Sequence, residues 1–597
     1  MMVVRDKTGC RADHFCALRT DSSPASSLLA RAGMQNRPWR AGAALVLLTL
    51  AAYANSLWNG FVWDDEVLVR ENPFIRNGTY LPTLFTTDLV HNSHGGPAYY
   101  RPLQTVTYLL DYQLWGTNPT GYHLTNVLLH TLCVVLVWLT LRRIISDPVI
   151  PLLVAAVFAV HPLNTSAVTY ISGRADSLAL AGMLGAFLFH HHYRQHQPPR
   201  LLLFIAALLS YVAALFSREN ALLFPLLLIV LSGPPWRRAC RYAIPFLILA
   251  AAFLAWRAAV IEHVDKPILS AWPISWDLRL QLILRSLAMY LGLLFWPVHL
   301  QMDRSVAFAA WQVGVVGLIV AAALVISLVW SARRQPVIFR GLLWFAVTLL
   351  PLTGALNLVA TVAEHWLYVP MIGFYLALAV VIVRHTRWLL PGCAVVLCAL
   401  MLRTIVRNRD WADGSVFFSR QARVAGYSER TFTNLGHTLV VTGQTDAGLA
   451  ALERAEQLNP RCPTAKYNLA VVLALRGELD GAQQKLHACL ELAPDDPTGW
   501  ELAAQLAEAR REHRHALHHY RRAISCTLDV GVRLRFARFL LRHGRTREAL
   551  ATLEECQYLE PGNAGTYRLL AELLTAIGQT ARAAEARELA ASLDRHS

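Results

Sequence analysis

Residues 466–496 read KYNLAVVLALRGELDGAQQKLHACLELAPDD, and residues 566–594 read TYRLLAELLTAIGQTARAAEARELAASLD. Gly443 and Gly477 lie 34 positions apart, as do Gly544 and Gly578. Pro460 and Pro494 repeat the interval, and Pro561 follows at 67, one residue short of two periods. Small residues such as Ala470, Ala482 and Ala571 recur where paired helices have to approach closely. A unit repeated at this interval cannot bury its apolar face alone, so neighbouring antiparallel helix pairs stack into a superhelix.

That period, with Gly, Ala and Pro positions agreeing, resembles tetratricopeptide (TPR) repeats. About five are expected over 430–597, after a connector at 407–429. A TPR array has a groove suited to extended peptide, so acceptor or partner proteins are its expected partners. Upstream the composition changes. Residues 41–406 are rich in Leu, Ala and Val with long uncharged runs, whereas 407–597 are rich in Arg, Glu, Ala and His. Overall the chain is 55% hydrophobic and 16% charged, against about 25% charged in a soluble domain. Mean hydropathy is +0.36. Apolar runs near or above ~18 residues are candidate membrane spans. They fall at about 41–58, 123–145, 149–161, 176–192, 200–216, 219–232, 242–261, 280–297, 311–331, 339–357, 366–384 and 388–405. The count is 11 or 12, and the expected fold is all-α: a multispanning bundle followed by an α-solenoid.

The net charge of +15 does not form a stripe that would bind nucleic acid. Pairs such as Arg142-Arg143, Arg237-Arg238 and Arg333-Arg334 flank apolar runs, as positive charge does beside membrane helices. Arg37 and Arg40 precede the first run and place the N-terminus, a polar and disordered 1–40, in the cytoplasm. The loop 59–122 is then extracytoplasmic. Ten scattered cysteines without a CxxC pair give neither a disulfide framework nor a zinc site. His515 and His519 share a helix face, but no carboxylate or cysteine at telling spacing completes a metal site.

Candidate chemistry begins at FVWDDEVLV, residues 61–69, just past the first apolar run. An acidic pair in a loop is usually only solvated. Asp64 and Asp65, however, lie at a membrane edge, where a carboxylate is partly desolvated and can meet a lipid-borne substrate. The amphipathic stretch YYRPLQTVTYLLDYQLWG (99–116) follows. There a carboxylate can act as general base, with Arg101 the nearest cation to stabilise a departing phosphate. In HPLNTSAVTYISGRADSLAL (161–180), His161, Arg174 and Asp176 flank the next turn. Ionisable residues at membrane depth are costly unless paired or facing a cavity. Arg218-Glu219 in SRENALLFP (217–225) and Glu364-His365 in ATVAEHWLYVPMIGF (360–374) interrupt apolar stretches, with interhelical salt bridges as the plainer reading.

FVWDDEVLVRENP, YYRPLQTVTYLLDYQLWGTNPTGYHLTNVLLH, HPLNTSAVTYISGRADSLA, AEHWLYVPMIGF and RNRDWADGSVFF occur in this order over roughly 45–597. Together they resemble the transmembrane and TPR-repeat family of protein O-mannosyltransferases and its bacterial relatives. The resemblance implies a GT-C-type glycosyltransferase domain over 41–406. It would transfer a sugar, mannose, from a polyprenyl-phosphate-linked donor to protein Ser/Thr hydroxyls on the extracytoplasmic side. It makes Asp64 or Asp65 the catalytic base, with Asp64 preferred. Arg101, His161, Arg174, Asp176, Glu219, Glu364 and Tyr368 become substrate or lipid-phosphate positions, and a divalent cation a candidate cofactor. The chain departs from the family pattern at Asn164 and Ser166, where His and Glu are common, and at His365 and Met371, where Arg and Ser are common. The composition favours a bacterial inner membrane over an endoplasmic reticulum membrane. The rival is a non-catalytic membrane scaffold whose solenoid recruits partners.

Overall fold

The computed structural model describes residues 38–87, 89, 99–261, 275–304, 311–355, 362–385, 390–424 and 428–596. Most of the N-terminal segment expected to be disordered lies outside these residues. Among the described residues the chain is all-α apart from one antiparallel pairing, Asp303–Arg304 with Val362–Ala363.

The apolar half begins with α1 (Pro38–Tyr53), followed after the long loop by α2 (Pro102–Trp115) and α3 (Pro119–Ile144). Next come α4 (Val149–Val160), α5 (Arg174–Gln195), α6 (Leu201–Leu215), α7 (Phe224–Ser232) and α8 (Trp236–Ile261). The bundle ends with α9 (Trp276–Phe295), α10 (Trp311–Arg334), α11 (Pro336–Leu349), α12 (Pro370–His385) and α13 (Leu390–Asn408). Among the described residues six helices are long and apolar enough to cross a membrane, or seven if α4 and the turn after it, bent by 50°, form one broken span. Fewer helices meet the length than the dozen apolar runs suggested. Segments 201–215, 219–232, 336–352 and 370–384 are apolar but shorter.

Helix α10 shows why such sequences sit in lipid. Only Gly317 and Ser331 are buried, while Leu318, Ile319, Val325, Ile326 and Val329 face outward. Water would penalise that surface, and lipid does not. Gly317 is the close-approach point: a Cβ there would stand 1.9 Å from the Leu284 carbonyl oxygen of α9. Small residues at helix crossings serve this purpose in membranes.

The C-terminal ends of α1, α4 and α13 meet at one end of the bundle. Asn55 Nδ2 donates to the Ile405 carbonyl (2.8 Å), Asn408 Nδ2 to that of Ala52 (2.9 Å), and Thr404 Oγ1 to that of Val160 (2.6 Å). Helix α14 (Gly414–Val424) leads from there into five helix pairs: α15/α16 (Glu429–Val441, Thr445–Leu458), α17/α18 (Pro463–Leu475, Leu479–Leu492), α19/α20 (Pro497–Ala509, His513–Ser525), α21/α22 (Val530–Arg542, Thr546–Leu559) and α23/α24 (Ala564–Ala576, Thr580–His596). Gly443, Gly477, Gly544 and Gly578 end the first helix of four pairs, with φ between +71° and +83°. Glycine enters this left-handed region without a Cβ penalty. In the third pair the same turn is made by Arg511 at φ +61°.

Candidate active site

The loop after α1 is anchored at the bundle end. Asn59 Nδ2 donates to the Asn408 carbonyl (2.9 Å), and the Gly60 amide to that of Ala412 (2.8 Å). Three residues on, Trp63 adopts φ +58°, a conformation that costs a side-chain-bearing residue ~1–2 kcal/mol. Its ring stacks on Tyr170 (6.2 Å between centroids) and meets Phe417 (6.4 Å) and Phe418 (6.0 Å) of α14.

This turn sends the two aspartates in different directions. Asp65 is 1% exposed. It accepts from the Val62 amide (3.1 Å), the Ser172 amide (2.8 Å) and the Ser172 hydroxyl (2.5 Å), tying the loop to the turn before α5. Burial pushes its carboxyl up to about 7, against the pull of those three donors. Asp64 is solvent-exposed, yet lies in a recess where surrounding protein still raises its pKa above the ordinary carboxylate range. The Tyr170 hydroxyl, Arg430 of α15 and Arg101 oppose that rise. The Tyr170 hydroxyl makes no hydrogen bond of normal geometry among the described residues.

Beside the recess stand two ion pairs. Arg101 donates through Nε (3.2 Å) and an Nη (3.0 Å) to one oxygen of Glu219, with its guanidinium 4.5 Å from the Tyr99 ring centre. Arg218 contacts Asp176 at 2.5 Å. His365 lies near both arginines; burial first, then their charge, hold it neutral. Buried Glu219 Oε1, Asn220 Oδ1 and His365 Nδ1 have no hydrogen-bond partner among the described residues. Unused polar atoms of this kind are uncommon in a settled core. An apolar cleft lined by Leu223, Leu227, Leu352, Trp366 and Val369 reaches the same place through Asn220. The arrangement offers one accessible carboxylate, nearby cations, spare polar atoms and an apolar neighbour.

The remaining expected positions lie elsewhere. Arg174, paired in expectation with Arg101 as a phosphate cation, is fully buried and fully engaged. It contacts Asp111 (2.6 Å), Asn126 (2.8 Å), the Tyr122 carbonyl (3.1 Å) and Thr107 (3.2 Å), and its guanidinium lies 4.6 Å from the Tyr108 ring centre. Asn126 in turn donates to the carbonyls of Val168, Tyr170 and Ile171, so Arg174 acts on the site by holding the turn that carries Tyr170 and Ser172. Gly173 closes that turn, since a Cβ would stand 2.4 Å from the Ser166 carbonyl oxygen. His161 accepts from the Leu163 amide (3.3 Å) and meets the Leu294 carbonyl (3.4 Å), capping the break after α4. Asn164 and Ser166 donate to the carbonyls of Phe158 and Leu163 in the same break. Glu364 is buried between Arg407 (3.4 Å) and Arg304 (3.6 Å) and accepts from the Gln301 amide. The Tyr368 hydroxyl bonds His130 (2.8 Å) and Ser177 (3.0 Å) inside the bundle. Among the described residues no three His, Cys, Asp or Glu side chains gather as a metal-binding group. Sequence reasoning missed Tyr170, Ser172 and Asp111, and above all Arg430, which reaches the recess from the solenoid.

A family model described as tetratricopeptide repeat matches residues 442–506. Among curated relatives, Protein O-mannosyl-transferase TMTC3 of Mus musculus is 23% identical over 532 residues, covering 78% of this chain and 56% of its own. Protein O-mannosyl-transferase F38B6.6 of Caenorhabditis elegans is 26% identical over 442 residues, covering 70% of this chain and 62% of its own. Protein O-mannosyl-transferase Tmtc1 of Drosophila melanogaster is 35% identical over 182 residues, covering 29% of this chain and 20% of its own. The chain spans about half the length of the curated relatives it matches. Over most of its own length, then, the chain is a homologue of proteins named protein O-mannosyl-transferases, with a tetratricopeptide-repeat match of its own and helices that fit a multi-pass membrane protein.

Proposed function

We propose that the protein is a glycosyltransferase that moves a sugar, mannose, from a polyprenyl-phosphate-linked donor to a Ser or Thr hydroxyl of an acceptor protein. The observation that carries this reading is the split of the aspartate pair. Asp65 is consumed by structure, and Asp64 is left accessible in a recess with Arg101 nearby. Asp64 takes the proton of the acceptor hydroxyl as its oxygen attacks the anomeric carbon with inversion. The bond from that carbon to the phosphate oxygen breaks, and Arg101 steadies the charge that develops on the leaving phosphate. Positive charge before α1 supports an extracytoplasmic recess. The solenoid begins against the Asp64 loop, which supports its lying on the same side and presenting the acceptor.

The test is transfer from polyprenyl-phosphate mannose in membranes, for the parent and for Asp64→Asn and Asp65→Asn separately. Asp64→Asn is expected to abolish transfer. If both variants match the parent, the catalytic assignment is wrong. A parent that transfers nothing from a panel of lipid-linked donors leaves the scaffold reading standing.

A further inference from the structure

The solenoid does more than begin near the recess. Its first helix, α15, places Arg430 with the guanidinium carbon 5.0 Å from the centre of the Trp63 ring, on the residue preceding Asp64. Trp63 is left-handed, and unlike the exposed Arg511 it is packed on several sides. Its neighbours are shared between the two halves of the chain: Tyr170 comes from the bundle, Phe417 and Phe418 from α14, and Arg430 from α15. One apolar cluster joins Val62 and Tyr170 to Trp411, Phe417, Phe418, Leu435 and Leu439, so loop, connector and first repeat pack as one body. At the other end of the array, a Cβ on Gly562, just before α23, would stand 3.2 Å from the Tyr80 hydroxyl of the same loop. The solenoid thus meets the loop at both ends.

We propose that Arg430 is a positioning residue of the transfer centre, supplied by the solenoid, which clamps the Trp63 turn and places a positive charge where Asp64 needs it. The membrane half alone then holds an incomplete site, and docking of the first repeat completes it. The groups facing Asp64 are Asp65 beside it, Tyr170 from the turn before α5, Arg101 from the start of α2 and Arg430 from α15. Of these only Arg430 can leave with the solenoid. A cation over a tryptophan face is held by the ring quadrupole as well as by charge. Lysine therefore keeps part of both effects and glutamine keeps neither. The inference rests on Asp64 being the base for its transfer arm alone.

The test uses the full chain in lipid nanodiscs and has two arms. In the first, Asp64→Cys reports the local field without any transfer chemistry. The alkylation rate of the introduced thiol by iodoacetamide is followed against pH by mass spectrometry of its peptide. Adding Arg430→Gln is expected to raise the apparent thiol pKa by about one unit, because a nearby cation favours the charged form. Adding Arg430→Lys is expected to leave most of it in place. The sign separates this from mere undocking, which would hydrate the thiol and lower its pKa. An unchanged or lowered value with Arg430→Gln overturns the proposal. In the second arm, with Asp64 intact, Arg430→Gln is expected to cut kcat for transfer from polyprenyl-phosphate mannose roughly tenfold or more. The acid limb of its pH profile should move upward, KM for the donor should hold, and Arg430→Lys should recover most of the rate. Equal loss in the Gln and Lys variants, or a change confined to KM, also overturns it. If the parent does not transfer, the glycosyltransferase reading fails, and the thiol arm still decides the role of Arg430.

Discussion

Two groups of charges sit at the same end of the bundle, and they are built on opposite principles. Around Glu364 the carboxylate itself is buried and fully paired. Its carboxylate is 0% exposed and held by Arg407, Arg304 and the Gln301 amide, while Arg407 also binds Asp410 at 3.0 Å. Around Asp64 demands are left open. One carboxylate faces solvent, and Glu219 Oε1, Asn220 Oδ1 and His365 Nδ1 lack partners among the described residues. Both groups look alike in the sequence, as acids and bases interrupting apolar runs. What separates them is the carboxylate. Among the described residues the Glu364 cluster leaves a donor, Arg407 Nε, without a partner, but its acid is buried and paired. Asp64 is exposed, with unpartnered acceptors close by. A buried, paired carboxylate resists change, whereas an exposed one can give hydrogen bonds and charge to a substrate.

The largest expected effect breaks the buried ion cluster. Glu364→Ala would leave Arg407 and Arg304 buried without their anion, and removing one partner of a buried ion pair costs about 3–5 kcal/mol. Folded protein recovered from membranes should fall sharply, as read by size-exclusion and thermal unfolding. If Glu364→Ala keeps the parent's Tm, the contrast between the two clusters collapses. Asp64→Asn should do the reverse. It should leave Tm unchanged and lower transfer by roughly 10²–10⁴-fold, the usual range for a lost general base. The base must be ionised to work, and burial raises its pKa. Transfer should therefore climb with pH along a limb that lies above the ordinary carboxylate range. A limb at that ordinary range would mean Asp64 is not the titrating group.

Asp65→Asn sharpens the comparison inside the loop itself. The new amide keeps an acceptor for one donor set but turns an NH₂ toward another, so a buried donor loses its partner at about 1–3 kcal/mol. Tm should drop, and transfer should fall with it through displacement of the Trp63–Asp64 turn. The diagnostic is that Asp65→Asn moves stability and Asp64→Asn does not. An equal Tm for the two variants would show that the pair is not divided as the hydrogen bonds divide it.

The pattern of what could be read from sequence follows from range. The solenoid was legible because its information is local and repeats: a helix, a left-handed turn and a second helix every 34 residues. Asp64 and Arg101 stood out as candidates because they sit where an apolar run ends and an amphipathic one begins. Pairings across the fold were not legible. Arg101 and Arg174 are both arginines beside aromatic stretches, and nothing in the sequence says that Asp111 waits for one and Glu219 for the other. Arg430 carries no local signal at all, since its partner lies more than 360 positions upstream. Helix length is likewise not written in an apolar run: 219–232 is apolar throughout, but folds as a short 3₁₀ segment followed by nine helical residues.

The smallest effect compares two residues in the same backbone state. Trp63 at φ +58° and Arg511 at φ +61° are the two left-handed non-glycine residues among those described. Arg511 occupies the turn that glycine makes in the other four repeats and is solvent-exposed. Its strain therefore has no visible return in packing. Trp63 is enclosed by three aromatic rings and a guanidinium. Arg511→Gly should relieve a conformational cost of ~1–2 kcal/mol, offset by the ~0.5–1 kcal/mol of extra freedom glycine gains in the unfolded chain. Tm should rise slightly, and transfer should not change. Trp63→Gly relieves the same strain but deletes the ring that ties loop to solenoid. Its Tm should fall and its transfer should be lost. If both substitutions behave alike, strain at Trp63 is incidental, and the turn that presents Asp64 is not held by the solenoid.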